Sequence, residues 1–389
     1  MKRNDIFSLR LKRLPPYLFA EIDRIKNELI EKGERVISLG VGDPDIPTPK
    51  RIVNFMKKAV TKKEYHQYPF GKGLKIFREA ITKWYKKRFG VELNCEKEVQ
   101  VLIGSKEGIG HLPLGIVNKG DIVLIPEPSY PVYFGGTILA DGKPYFLPLL
   151  EKNNFLPEIE SVPERILKRV KLLFLNYPNN PTTQVASLDF YKKVVRFAKR
   201  YGFFIASDLA YSEIYFNEKP VSILQVKGSK DVAIEFHSLS KTFNMTGWRI
   251  GWACGNEKLI AALKEVKDNY DSGVFMAIQE VGAFALLECG KEVKANREIW
   301  KKRRDFFCKK LKKLGFEFFY PEATFYVWIK TPNNLPSKEV AKRILLSAKV
   351  IVTPGIGFGK SGEGYIRVAL TQDIEVLDEA LEKISRVRW

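Results

Sequence analysis

Lys241 stands in a segment whose neighbours define a chemistry: Val232-Ala-Ile-Glu-Phe-His-Ser-Leu-Ser-Lys241-Thr-Phe-Asn-Met-Thr-Gly-Trp-Arg249. An apolar, β-rich run leads into Ser238, Ser240 and Lys241, and Arg249 follows eight positions after the lysine. Hydroxyls and a guanidinium can hold a phosphate, and an amine beside them can condense with a carbonyl. A Schiff-base lysine next to an anion site is what pyridoxal 5′-phosphate requires. In a chain with 65 Lys and Arg a single lysine is far more often a solvated surface charge, so the residues that accompany Lys241 decide.

Four other constellations carry chemistry. Gly104-Ser105-Lys106-Glu107-Gly108 follows an apolar run and opens a helical stretch, the geometry that aims free backbone N–H groups at an anion; a plain tight turn is the alternative. Its spacing is neither that of a dinucleotide loop nor that of a nucleoside-triphosphate loop, and Gly359-Lys360-Ser361 fails as the latter because Pro354 occupies the first glycine position. Asn176-Tyr-Pro-Asn-Asn180-Pro181 leaves a strand through two X-Pro steps, which puts Asn180 on the carboxyl edge of a sheet, or simply in a proline-rich turn. Ser207-Asp208-Leu-Ala-Tyr211 ends another apolar run. A half-buried Asp208 there requires a partner such as a protonated pyridine nitrogen, unless it caps a helix, and Tyr211 could donate to the ring oxygen. Finally, Arg367 is the lone charge in the strand Tyr365-Ile-Arg-Val-Ala369, a setting that calls for a carboxylate, from the protein or from a substrate.

The elements that must position these residues are legible as alternating apolar runs and helical stretches. Val99–Ile103, Asp121–Ile125, Lys143–Leu147, Val170–Leu175, Phe203–Ala206, Val232–Phe236 and Arg249–Ala253 are expected to be seven strands, several apolar throughout and therefore covered on both faces. Helices such as Leu188–Tyr201 separate them, so the fold class is α/β with a mostly parallel sheet. An amphipathic helix over Tyr17–Lys32, C-terminal helices near 291–314, 337–348 and 374–387, and strands Phe325–Ile329 and Tyr365–Ala369 form a smaller α+β part. At 389 residues two domains are expected: 46–284 as the large one, and 1–45 with 285–389 as the small one, built from both termini.

The order Gly42-Asp43-Pro44-Asp45, Tyr68-Pro69, Gly104-Ser105-Lys106, Tyr130-Pro131, Asn180-Pro181-Thr182, Asp208-x-x-Tyr211, Ser238-x-x-Lys241, Arg249 and Arg367 resembles the class I/II aminotransferases of PLP fold type I over nearly the whole chain. With Asp271-Ser-Gly-Val and Thr353-Pro-Gly, it most resembles LL-diaminopimelate aminotransferases and their relatives. The resemblance implies Lys241 as Schiff-base lysine and proton shuttle, Asp208 at the pyridine nitrogen, Tyr211 and Asn180 at the 3′-oxygen, and Tyr130 stacked on the ring. It implies Ser105, Lys106, Ser238 and Arg249 at the phosphate, with Tyr68 reaching in from the other subunit of a homodimer. Arg367, Asn180 and the backbone at Gly42 would grip the substrate carboxylate. The implied reaction transfers an amino group between an amino acid and a 2-oxo acid, with glutamate and 2-oxoglutarate as the default pair. Aspartate, alanine or aromatic donors, and a β-lyase acting on C–S bonds, are the alternatives within the same chemistry. The chain departs from the pattern twice: Thr183 follows Asn180-Pro-Thr where glycine is usual, and Lys72 stands near the loop where diaminopimelate enzymes are expected to carry a glutamate.

Composition bears on the remaining classes. The net charge of +20 is spread along helices such as Lys83–Arg88 among acids and apolar residues, without a nucleic-acid motif, so no nucleic-acid partner is expected. The roughly 40 residues before Gly42 offer room for one helix and an arm, so a helix-turn-helix regulator is not expected. No uncharged apolar run approaches the ~18 residues of a membrane span, and the start lacks the apolar core of a signal peptide. Cys95, Cys254, Cys289 and Cys308 are scattered, and the three histidines lie in different segments, so neither a disulfide framework nor a metal site is expected and a cytoplasmic location fits.

Overall fold

The computed structural model describes residues 6–15 and 18–389. Tyr17, the expected start of the first long helix, lies outside the described residues, as does the basic start Met1–Asp5; the helix itself runs Leu18–Glu31 and ends near Gly33, whose φ is +80°. After a short strand β1 (Ile37–Ser38) come β2 (Val99–Leu102), β3 (Ile122–Glu127), β4 (Lys143–Pro148), β5 (Val170–Asn176), β6 (Phe204–Asp208), β7 (Ala233–Ser238) and β8 (Gly251–Gly255). The last seven form one sheet in the order β2-β8-β7-β6-β5-β3-β4. Each of the seven apolar runs supplies one strand, shifted by a residue or two. The sheet is mostly parallel, and β8 alone runs against its neighbours β2 and β7. Every residue of β2, β3, β7 and β8 is buried, which explains their predominantly apolar sequences, whereas the edge strand β4 is mostly exposed or half-buried.

The crossovers follow from local sequence. Between β5 and β6 the helix Leu188–Tyr201 starts where the Ser187 hydroxyl accepts from the Phe190 amide, a cap worth about 1 kcal/mol. It buries Tyr191, Val194, Val195 and Ala198, which share one face by their three- and four-residue spacing, and ends at Gly202 with φ +77°. Packed this way, the connection returns the chain to the same end of the sheet. Register then aligns strand ends: Asn176 lies opposite Asp208, Asp208 opposite Phe236, and Gly251 opposite both Ser238 and Leu102. The motifs that follow β2, β5, β6 and β7 therefore emerge together along one edge.

The remaining strands are β9 (Phe318–Phe319), β10 (Tyr326–Lys330), β11 (Val350–Ile351), β12 (Thr353–Pro354) and β13 (Tyr365–Ala369). They form an antiparallel sheet β12-β13-β10-β9, while β11 pairs with β1. Its core gathers Phe307, Leu311, Val327, Ile366 and Leu377 with Ile37 and Leu39 from near the start of the chain. The amide of Ala369 donates to Leu39 at 2.7 Å, which ties β13 and Arg367 to the segment that runs into Gly42.

Candidate active site

Two cations converge on the Gly40-Val41-Gly42 segment. Lys241 Nζ donates to the Gly42 carbonyl at 2.7 Å, and Arg367 donates to the Gly40 carbonyl at 2.6 Å. Arg367 also donates to Asn180 Oδ1 at 2.6 Å, its guanidinium lies 4.3 Å from the Tyr326 ring centroid, and its Nε has no partner. It is 2% exposed and no acid among the described residues pairs with it, a setting in which a carboxylate ligand would supply the counterion. Gly42 is required for this approach: a Cβ there would fall 1.8 Å from the Tyr326 hydroxyl. Burial pulls the Lys241 amine down to about 8; Asp43 opposes that shift, while Arg367 and Arg249 add to it. An amine so placed is still mostly protonated near physiological pH, but about a fifth of it is neutral, far more than of an ordinary lysine, and that form can attack a carbonyl.

Asp208 ends β6 in a 7% exposed position. Its Oδ2 accepts from the Tyr133 hydroxyl at 2.9 Å and its Oδ1 from the Ala210 amide at 3.2 Å. No helix starts here, so the capping alternative falls. Burial pushes its carboxyl up to about 6 against the pull of those two bonds. A buried acid with only neutral donors is one that a cationic ring nitrogen would satisfy. Asn176 holds the neighbouring loop: its amide nitrogen donates to the Asp208 carbonyl at 2.9 Å, and its Oδ1 accepts from the Asn180 amide at 2.9 Å. Tyr211 shares a 2.8 Å hydrogen bond with Tyr326, and burial raises its hydroxyl well above the ordinary value.

A cradle for an anion lies at the end of β2. The helix Ser105–Ile116 begins after Gly104, whose φ of +76° opens its first amides, and a Cβ at Gly104 would sit 2.5 Å from the Arg249 guanidinium. Arg249, itself at φ +56°, donates to the Thr246 carbonyl at 2.7 Å. Gly251 allows β8 to approach: its Cβ would lie 2.9 Å from the Ser105 amide. Ser238 Oγ accepts from the Ser240 amide at 3.1 Å and so caps the single turn carrying Lys241. Lys106 Nζ lies 5.9 Å from the Tyr130 ring centroid. Beneath the cradle the buried Lys267 bonds both Glu107, at 2.9 Å, and Asp271, while Glu107 accepts from the Ile103 amide. Tyr68 stands apart. Its ring is 72% exposed and stacks on Phe70 at 5.4 Å, and the bonds joining the other residues do not include it.

A depressed amine, a buried acid without a cation, an arginine without a carboxylate and a helix N-terminus open beside a guanidinium match, donor for donor, what pyridoxal phosphate and an amino acid present. Comparison with known proteins agrees. The profile of "Aminotransferase class I and II" matches residues 34–384. The chain belongs to the class I and II aminotransferases. It is an enzyme of this pyridoxal phosphate-dependent family, close to its LL-diaminopimelate aminotransferases. It is 55% identical over 383 residues to the LL-diaminopimelate aminotransferase of Aquifex aeolicus, covering 98% of this chain and 99% of that one. Among solved structures, substrate-bound BacF from Bacillus subtilis superposes with a TM-score of 0.95 at 37% identity, with 98% of each chain covered. A single mutant of Thermus thermophilus aspartate aminotransferase gives 0.92 at 27%, covering 98% of this chain and 99% of that one.

Sequence reasoning missed the site roles of Tyr133, Asn176 and Tyr326. Asn176 and Tyr326 lie in the proline-rich and apolar runs named above, where a polar atom inside the run is the only signal, whereas Tyr133 lies in the helix Val132–Leu139, outside every run named.

Proposed function

We propose that this aminotransferase family member transfers the amino group of LL-diaminopimelate to 2-oxoglutarate, as a homodimer that binds pyridoxal phosphate through Lys241. The observation that carries the reading is the pairing, on one Gly40–Gly42 segment, of a lysine whose basicity burial depresses to about 8 with an arginine that no acid among the described residues pairs with. Lys241, Asp208, Tyr211, Asn180, Tyr130, Ser105, Lys106, Ser238 and Arg249 would hold the cofactor, and Arg367, Asn180 and Gly42 the substrate carboxylate. When bound, the cofactor supplies the carbonyl carbon for the amino group and a ring that draws electrons from substrate Cα. Arg367 and Asn180 would orient Cα toward Lys241, whose Nζ would take the Cα proton and return it to the carbon two atoms further along, beyond the nitrogen. Asp208, kept in place by Tyr133, stays ionised to hold the proton on the ring nitrogen, where it strengthens that withdrawal. The names of the relatives support the donor. Lys72 does not oppose it, because its ammonium is bonded to the Glu96 carbonyl at 2.6 Å. The exposed rings of Tyr68 and Phe70, 72% and 74%, support a partner subunit over that loop. Lys241→Ala tests the assignment: the purified protein should lose the visible absorbance of lysine-bound cofactor together with turnover. Full turnover in the variant would refute it.

A further inference from the structure

Glu127 closes β3 three residues before Tyr130 and is 8% exposed, yet no cation among the described residues pairs with it. Its Oε2 accepts from both the amide and the hydroxyl of Ser361, at 3.1 and 2.9 Å. Close by, the Ser129 amide donates to the Phe358 carbonyl at 2.8 Å. Between these two anchors Gly359, at φ +121°, passes so near that a Cβ would lie 2.3 Å from Glu127 Cγ. The loop 355–362 of the smaller part is thereby fastened to the loop that leaves the large sheet. Phe358, on that loop, is 4% exposed, and its ring centroid lies 4.8 Å from the Arg367 guanidinium carbon, with Trp328 packed edge-on against it. Burying a carboxylate without a cation is costly, and the two Ser361 donors offset that cost only while the loop stays in place.

We propose that Glu127 is a positioning residue that latches loop 355–362 across the cleft, so that Phe358 holds the Arg367 guanidinium in place for the substrate carboxylate. The inference rests on the reading of Arg367 given above. Arg367 has five N–H donors, and its plane must stay fixed for two of them to meet a carboxylate together. One ring at Tyr326 and one at Phe358 flank it, and only the second is carried by a loop. Glu127 touches neither Lys241 nor Asp208 in any hydrogen bond, so loosening the latch weakens the grip on the carboxylate and leaves proton transfer and cofactor retention in place.

Single-turnover conversion of the cofactor-loaded enzyme by L-glutamate tests this, read as the half-saturating concentration and the maximal rate. Glu127→Ala should raise half-saturation about tenfold with the maximal rate within about threefold of wild type and the cofactor retained. Glu127→Gln should recover to within about threefold, because both Ser361 donors meet a single oxygen, which an amide also provides. Gly359→Ala drives the loop off Glu127 without altering it and should reproduce Glu127→Ala, so the test survives if one variant fails to fold. Unchanged half-saturation in Glu127→Ala and Gly359→Ala would overturn the proposal. So would a maximal rate lost equally in Glu127→Ala and Glu127→Gln, which would mark an acid–base group. A wild-type enzyme that converts no amino donor sinks the aminotransferase reading and the latch with it.

Discussion

Replacing Asp208 by asparagine should make the cofactor-free protein more stable above neutrality while removing its chemistry. Burial lifts the carboxyl from 3.8 to about 6, so the folded state holds this proton longer than the unfolded chain does. The sign follows: the contribution is favourable below pH 3.8 and is lost as pH rises through about 6. A rise of about two pKa units, at about 1.36 kcal/mol each, makes ionised Asp208 cost the empty fold ~3 kcal/mol at pH 8. Asparagine does not ionise and keeps an acceptor for Tyr133, but it gives up the Ala210 amide bond, about 1 kcal/mol. The net gain is ~2 kcal/mol at pH 8, and it shrinks by about 1.4 kcal/mol at pH 5, where the wild-type carboxyl is mostly protonated. Urea unfolding of both proteins without cofactor at the two pH values measures this directly. Adding pyridoxal phosphate should reverse the order, because the ring cation pairs with Asp208 only in the wild type. A variant less stable than wild type at pH 8, or a difference that does not change with pH, would refute the idea that Asp208 is held ionised at the expense of stability for a cationic ligand.

Arg367→Lys keeps the charge but loses the planar fork, so carboxylate binding should weaken about a hundredfold, seen as a higher half-saturating amino-acid concentration; an unchanged value would remove Arg367 from the substrate site. The Lys241 amine, depressed to about 8, should let the cofactor-free protein combine with pyridoxal phosphate at a rate that rises through about pH 8 and then levels. A rate still climbing toward pH 10 would show an amine of ordinary basicity.

Most of the sheet was legible because strands covered on both faces leave predominantly apolar runs, and the seven runs lie in the one layer. The site positions at the ends of β2, β5, β6 and β7 were legible for the same reason, since a polar motif that closes such a run emerges at the sheet edge. The reversal of β8 was not, because Gly251–Gly255 is as buried as the parallel strands and direction leaves no mark on composition. Nor were the partners. Tyr133 reaches Asp208 across 75 positions, Arg367 reaches Asn180 across 187, and Glu127 reaches Ser361 across 234. The last two contacts depend on how the smaller part seats on the large sheet and the first on how the helix Val132–Leu139 packs on it, and each partner taken alone looks like an ordinary residue of its element. Asp208 was legible as a buried acid, but its neutral company of Tyr133 and Ala210, which makes it wait for a cation, was not.

The measurement closest to the central claim is single-turnover spectroscopy of the cofactor-loaded enzyme against LL-diaminopimelate, glutamate, aspartate, alanine and aromatic amino acids. The account predicts that glutamate and LL-diaminopimelate both discharge the cofactor absorbance, with LL-diaminopimelate far faster than aspartate, alanine or the aromatic donors. An inert LL-diaminopimelate beside a reactive aspartate, alanine or aromatic donor would overturn the proposed donor, and absorbance that none of these amino acids changes would contradict the aminotransferase mechanism itself.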